Sequence, residues 1–182
     1  LQWRTDCLGP FQLTLGLLPA LRATAAEKGD ARVVNVASQL HRKATNADLV
    51  TPHTPYDSWV AYGASKLAMV HMAFELERRF AGEGLHGYVL HPGSVFTNVA
   101  DTGLAGHAAL TRVRGWLAPV ERFFLLTPSE GAATSLHCAT APGVPGGQYF
   151  TACAPGRVSG EAHDAAVGAR IWATSVAWAQ HT

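Results

Sequence analysis

Apolar residues recur at three- and four-residue intervals at the start of the chain, where Leu8, Phe11, Leu15 and Leu18 share one helical face. The pattern predicts a buried helix ending near Lys28-Gly29-Asp30, with Pro19 bending it. The period then changes. "ARVVNVAS" (31–38) is short, β-branched and almost continuously apolar, as expected of a strand covered on both faces. The polar, proline-bearing stretch "HRKATNADLVTPHTPYDSW" shows no clear period and reads as a loop over a site.

A long helix follows over residues 59–80, closing at "AGEGLHG". "HGYVLHPG" (86–93) is a second buried strand, stopped by Pro92-Gly93, and residues 96–126 read as irregular or loosely helical. "TPSEGAATSLHCAT" opens with the helix-start signal Thr127-Pro128-Ser129-Glu130 and continues as a small-residue helix. "GGQYFT" is a short third strand, and a last helix covers residues 163–180, with Ile171, Val176 and Trp178 among its apolar positions.

Alternating helices and strands predict one α/β domain over residues 1–182, a parallel sheet with helices on both faces. A strand as apolar as 31–38 should have a neighbour on each side, yet only two further strands are read. The chain also enters a helical pattern almost at its first residue. Both features are expected of the C-terminal part of a larger doubly wound fold whose N-terminal strands are missing. With an open sheet flank, the chain alone is expected to be marginal or prone to aggregation.

Composition narrows the function classes. A formal charge of +1 without clustered Lys and Arg argues against a nucleic-acid or anionic-membrane surface. No charge-free stretch of about 18 or more apolar residues marks a membrane span. Cys7, Cys138 and Cys153 are odd in number and widely spaced, which suits reduced thiols and a cytoplasmic location, although a leader or anchor preceding Leu1 would escape notice. The nine histidines are scattered singly, and His86 and His91 flank a strand as packing or surface groups, so no metal is expected.

The candidate chemistry begins with "AYGASKLAM". Tyr62 and Lys66, at i and i+4, share one helix face. A phenol has a pKa of about 10, and bringing it to pH 7 takes about 4 kcal/mol of electrostatic help, part of which an ammonium can supply. The spacing alone is equally that of a half-buried Tyr beside a surface Lys. Its context decides. Ser38 ends the first strand, where ligands bind in open parallel sheets, and Pro92-Gly93 ends the next strand at the same edge. Ser94, Val95, Phe96 and Thr97 follow directly. Each could be an ordinary cap or strand terminator, but together they converge on one rim.

The stretches "RVVNVAS", "AYGASKLA", "HPGSVFTN", "EGAATSLHCA" and "GGQYF" resemble the short-chain dehydrogenase/reductase family across essentially the whole chain. They look most like its retinol-dehydrogenase-like branch and are similar to WW-domain-containing oxidoreductases. The resemblance implies a partial Rossmann-like doubly wound sheet. It also implies an NAD(P)-dependent interconversion of an alcohol and a carbonyl, with NADP favoured over NAD. Tyr62 would be the general acid/base, Ser38 would hold the substrate oxygen, and Lys66 would lower the Tyr62 pKa and bind the nicotinamide ribose. Pro92, Gly93, Val95 and Thr97 would line the nicotinamide. Trp59, Phe96, Leu104 and Trp116 suit an apolar substrate such as a retinoid, steroid or lipid aldehyde, and suit a core equally well. Homodimers on the long helix are common in that family, so a homodimer is an open expectation.

Two departures bear on activity. The family asparagine that completes the catalytic group corresponds to Asp6 in "TDCLGPFQLT". No G-x-x-x-G-x-G phosphate turn occurs in the chain, so this polypeptide alone is expected to bind dinucleotide poorly. A truncated, inactive remnant or a partner-binding module of the same fold is therefore the alternative. A serine hydrolase is excluded by the lack of a G-x-S-x-G elbow.

Overall fold

A computed structural model describes residues 2–50, 55–93 and 126–180. Helix α1 spans Gly9–Lys28, strand β1 Ala31–Val36, helix α2 Ser58–Phe80 and strand β2 Leu85–His91. Helix α3 spans Pro128–Thr140, strand β3 Tyr149–Thr151, strand β4 Ala154–Pro155 and helix α4 Ala165–Ala179. The sheet order is β1-β2-β3-β4. β1 pairs with β2 in parallel from Ala31↔Leu85 to Val36↔Leu90, and β2 pairs with β3 in parallel from Val89↔Tyr149 to His91↔Thr151.

Local chemistry explains the helix ends. Gly29 takes a left-handed conformation after α1, and its N–H returns to the Ala25 carbonyl. The Asp57 carboxylate accepts the N–H groups of Trp59 and Val60 at the start of α2. Thr127 and Glu130 form a reciprocal capping box at α3, next to Pro128 in the first turn.

The two faces of the sheet carry different helices. Tyr88, Leu90 and Phe150 pack with Cys138 of α3 on one face. On the other, Leu67, Val70 and Phe74 of α2 meet Val89 and Tyr149, while Ala68, Met72 and Leu76 meet Leu85, Phe11 of α1 and Trp172 of α4. Phe11 and Trp172 touch edge to face with centroids 4.9 Å apart. The backbone of α2 lies so close to β2 that a Cβ at Gly87 would stand 2.3 Å from the Ala73 carbonyl oxygen.

α2 is buried nearly all round. From Gly63 to Leu76 every residue except Lys66 is buried. α4 packs against α2.

Two expectations need correction. α1 is not a buried helix: only Phe11 and Ala25 of its residues are buried, and Leu13 and Leu17 are 65% and 48% exposed. Its narrow inner stripe meets β1 and α4, while Leu13 and Leu17, four residues apart, face away. β1 carries helices on both faces, α1 and α2 on one and α3 on the other. Its open edge also follows the expectation: among the described residues its only strand neighbour is β2, and Val36 is 43% exposed. Finally, a fourth strand, β4, pairs antiparallel with β3 through a tight turn at Ala152 and Cys153, both with positive φ. Such two-residue turns favour Asn and Gly, so Ala-Cys carries no turn signal in the sequence.

Candidate active site

The carboxyl ends of β1 and β2 form a rim on which the sequence-predicted groups meet. β1 ends at Val36, Ala37 donates to the Leu90 carbonyl of β2 at 2.7 Å, and Ser38 then turns the chain. Ser38 caps the 3-10 turn Gln39–Lys43, its hydroxyl accepting the Leu40 N–H at 3.2 Å. The same hydroxyl is near enough to the Tyr62 phenol of α2 to lower its pKa. Lys66, one turn further along α2, sends its ammonium back to the Val36 carbonyl at 3.3 Å and lies 5.4 Å from the centre of the Tyr62 ring. Ser38, Tyr62 and Lys66 therefore form one contiguous group.

Asp6 joins them electrostatically. It sits in a π-helical turn, Arg4–Leu8, that precedes α1. Such turns bulge a helix and redirect side chains, often at functional sites. Cys7 anchors this turn against α2 through a 3.7 Å contact with the Met72 sulfur, and burial pushes its thiol up to about 12, so it is a packing group. The Asp6 carboxylate acts on both Tyr62 and Lys66 through space.

The electrostatics of this group have definite signs. Burial pushes the Tyr62 phenol up, the Ser38 hydroxyl pulls it down, and the Asp6 charge pushes it up again. Burial pulls the Lys66 ammonium down, and Asp6 opposes that by favouring the cation. In the protein by itself the phenol is thus poised as a neutral proton donor, not as a phenolate.

Pro92 and Gly93 leave β2 at the same rim. Gly93 has φ +90°, and a Cβ there would meet Leu126 at 2.3 Å, so the turn requires glycine. Val95 and Thr97 lie outside the described residues, as do Ser94, Phe96, Leu104 and Trp116.

Residues 39–50, the described part of the loop that follows Ser38, are more ordered than their lack of period suggests. They form two 3-10 turns, Gln39–Lys43 and Asn46–Leu49, and the segment around Ser159 holds them. Asn46 donates its N–H to the Glu161 carboxylate at 2.7 Å and its side-chain amide to the Glu161 carbonyl at 3.0 Å. Its amide oxygen meets His71 Nε2 of α2 at 2.8 Å. His41, wholly buried, was not singled out by sequence. Its partner Ser159 lies 118 residues away, and no local pattern joins them.

Two features bear on whether a nicotinamide nucleotide suits this rim. Lys66 makes one hydrogen bond among the described residues, leaving ammonium protons for ribose hydroxyls. His91 Nδ1, at the end of β2, is buried without a partner among them, the kind of orphan a bound polar group satisfies.

The fold and rim together define an open, doubly wound α/β sheet with a hydroxyl, a phenol and an ammonium at its carboxyl edge. Comparison with known proteins agrees. Human retinol dehydrogenase 11 is 35% identical over 171 residues, covering 92% of this chain and 50% of that protein. Mouse polyprenol dehydrogenase is 38% identical over 175 residues, covering 91% of this chain and 49% of that protein. No family model matches the chain. A crystal structure of an uncharacterized protein from Mycobacterium Paratuberculosis aligns with a TM-score of 0.67 at 28% identity, covering 98% of this chain and 58% of that one. An NADPH-bound carbonyl reductase from chicken fatty liver shares the fold, with a TM-score of 0.55 at 21% identity over 82% of this chain and 52% of that one. The chain belongs to the short-chain dehydrogenase/reductase family. It spans about half the length of the curated relatives it matches.

Proposed function

We propose that this chain carries the proton-transfer half of an NAD(P)-dependent oxidoreductase that interconverts an alcohol and a carbonyl. The observation that carries the reading is the convergence of the Ser38 hydroxyl, the Tyr62 phenol and the Lys66 ammonium on one rim. Within a stretch of α2 that is otherwise buried, Lys66 alone stays open.

In carbonyl reduction Tyr62 donates its proton to the substrate oxygen, and in alcohol oxidation it accepts one. Ser38, held by its cap geometry, hydrogen-bonds that oxygen. Lys66 binds ribose hydroxyls with its spare protons, and its charge favours the phenolate. The nicotinamide, NADP being favoured by family resemblance, supplies or accepts the hydride at the substrate carbon. Because the phenol starts above its ordinary value, bringing it to pH 7 requires more than about 4 kcal/mol, which Lys66 shares with the positive ring of the oxidised cofactor. Pro92 and Gly93, with Val95 and Thr97 beyond them, line the nicotinamide in this reading.

The substrate is an apolar alcohol or aldehyde. A cleft of about 110 Å³ is lined by Leu40, Lys43, Ala44, Trp59, Val60 and Gly63, residues that neighbour Tyr62 along α2 or follow Ser38 in the chain, and Trp59 is 71% exposed at the first turn of α2. Similar proteins are named for retinol and polyprenol, both long apolar alcohols. The test is NADPH oxidation by the full-length protein against a panel of aldehydes. Full activity in Tyr62→Phe overturns the assignment, and an unchanged KM for long-chain aldehydes in Trp59→Ala overturns the apolar cleft.

The other reading, a non-catalytic remnant or binding module of the same fold, is favoured by the Asp6 charge beside Lys66 and by the lack of a G-x-x-x-G-x-G turn in the chain. Calorimetric titration with NAD and NADP separates the two. Tight binding removes the second reading.

A further inference from the structure

His41 is completely buried three residues beyond Ser38, and both its ring nitrogens are engaged. Nδ1 lies 2.5 Å from the Ser38 carbonyl oxygen, and Nε2 lies 3.2 Å from the Ser159 backbone nitrogen. These partners settle the tautomer. A carbonyl oxygen can only accept, so Nδ1 carries the proton, and a backbone N–H can only donate, so Nε2 is bare. The ring also packs against Tyr149 of β3 with centroids 4.7 Å apart, and burial disfavours its protonation. The Ser38 carbonyl receives a second hydrogen bond, from the His41 backbone N–H at 3.2 Å. The Ser38 peptide is thus clamped from two directions while its hydroxyl faces Tyr62.

We propose that His41 is a positioning residue for the reaction: as the neutral Nδ1–H tautomer it fixes the Ser38 backbone, and so aims the Ser38 hydroxyl, by bracing it against the Ser159 segment. The proposal rests on the reading of Ser38 as the group that holds the substrate oxygen. It predicts that the Nδ1 side of the ring governs turnover, whereas the Nε2 side governs only attachment of the Ser159 segment.

Two variants divide these roles in the full-length protein. His41→Asn places an amide N–H where Nδ1–H donates to Ser38. His41→Gln places an amide oxygen where Nε2 accepts from Ser159, and leaves the Ser38 carbonyl without its side-chain donor. Since a misplacement of about 1 Å can cost about 100-fold in rate, His41→Gln is expected to lower kcat by about 10- to 100-fold with the KM for NADPH nearly unchanged. His41→Asn is expected to stay within a few-fold of wild type. Wild-type kcat in His41→Gln, or equal losses in the two variants, overturns the proposal. Long-range proton–nitrogen NMR of ¹⁵N-histidine-labelled wild type gives a readout free of activity and of variant folding. A neutral Nδ1–H ring supports the geometry, and an Nε2–H or doubly protonated ring at pH 7 overturns it. If the wild type turns over no carbonyl substrate, the oxidoreductase reading falls, and the NMR result alone judges the His41 clamp.

Discussion

The Lys66 ammonium donates to the carbonyl oxygen of Val36 at 3.3 Å, joining the first turns of α2 to the last residue of β1. That contact places the positive charge at the mouth of the sheet, beside the Tyr62 ring, while the residues around it on α2 are buried. A lysine in such a position loses hydration, a cost that its hydrogen bond to Val36 offsets in part.

Removing the proton donor tests the site directly. Tyr62→Phe is expected to lower kcat by roughly 10²- to 10⁴-fold, the usual contribution of a positioned acid/base, with little change in cofactor affinity. Steady-state kinetics and cofactor titration on the same preparation check both halves of the statement.

Asp6 adds to the upward push that burial gives the Tyr62 phenol. Its carboxylate raises the Tyr62 phenol, so Asp6→Asn is expected to lower the Tyr62 pKa. In alcohol oxidation the phenolate is the active base, and the rate rises with pH through that pKa. The rising limb of kcat/KM should therefore move to lower pH in the variant. A limb that stays put or moves up shows that Asp6 does not act on Tyr62.

His71 makes the fold acid-sensitive. Burial first, then Arg78, hold its imidazole down to about 4 from an ordinary 6.5, and its Nδ1 has no partner among the described residues. A histidine whose folded pKa is depressed binds a proton more readily when unfolded. Stability is therefore intact above pH 6.5 and falls as the pH drops from 6.5 towards 4, by at most about 1.4 kcal/mol per pH unit. Denaturant midpoints measured from pH 7.5 to 4.5 should fall more steeply in wild type than in His71→Gln, whose amide can still donate to Asn46. His41, also held down by burial, adds a slope of the same sign that remains in both.

Gly87 is a packing requirement. Because a Cβ there would lie 2.3 Å from the Ala73 carbonyl oxygen, Gly87→Ala must push α2 off the sheet. A loss of about 1–3 kcal/mol, the typical cost of overpacking, is expected in urea unfolding.

The outer edge of β1 has no strand partner among the described residues, and Leu13 and Leu17 of α1 are exposed nearby. The 182-residue chain on its own is expected to self-associate as its concentration rises. Light scattering on the isolated chain and on Leu13→Lys/Leu17→Lys checks this. A monomer that melts cooperatively at high temperature would contradict it.

Much of this was legible in the residues. The strand at 31–38, the long helix after Asp57, the Thr127–Glu130 cap and the helix stop at Gly29 all follow from interactions between near neighbours, which a sequence displays directly. The i, i+4 pairing of Tyr62 with Lys66 and the strand-end placement of Ser38 belong to the same class, because helix period and strand direction are local properties. Tertiary structure alone decided the rest. It turned Leu13 and Leu17 outward, made a hairpin at Ala152-Cys153 without a turn signal, and brought Asp6 within electrostatic reach of Lys66. It also joined His41 to Ser159 and Asn46 to Glu161 across more than a hundred residues. Those contacts depend on which faces meet when distant segments pack. Burial and the partner of each polar group are set by that packing, and no spacing along the chain encodes them.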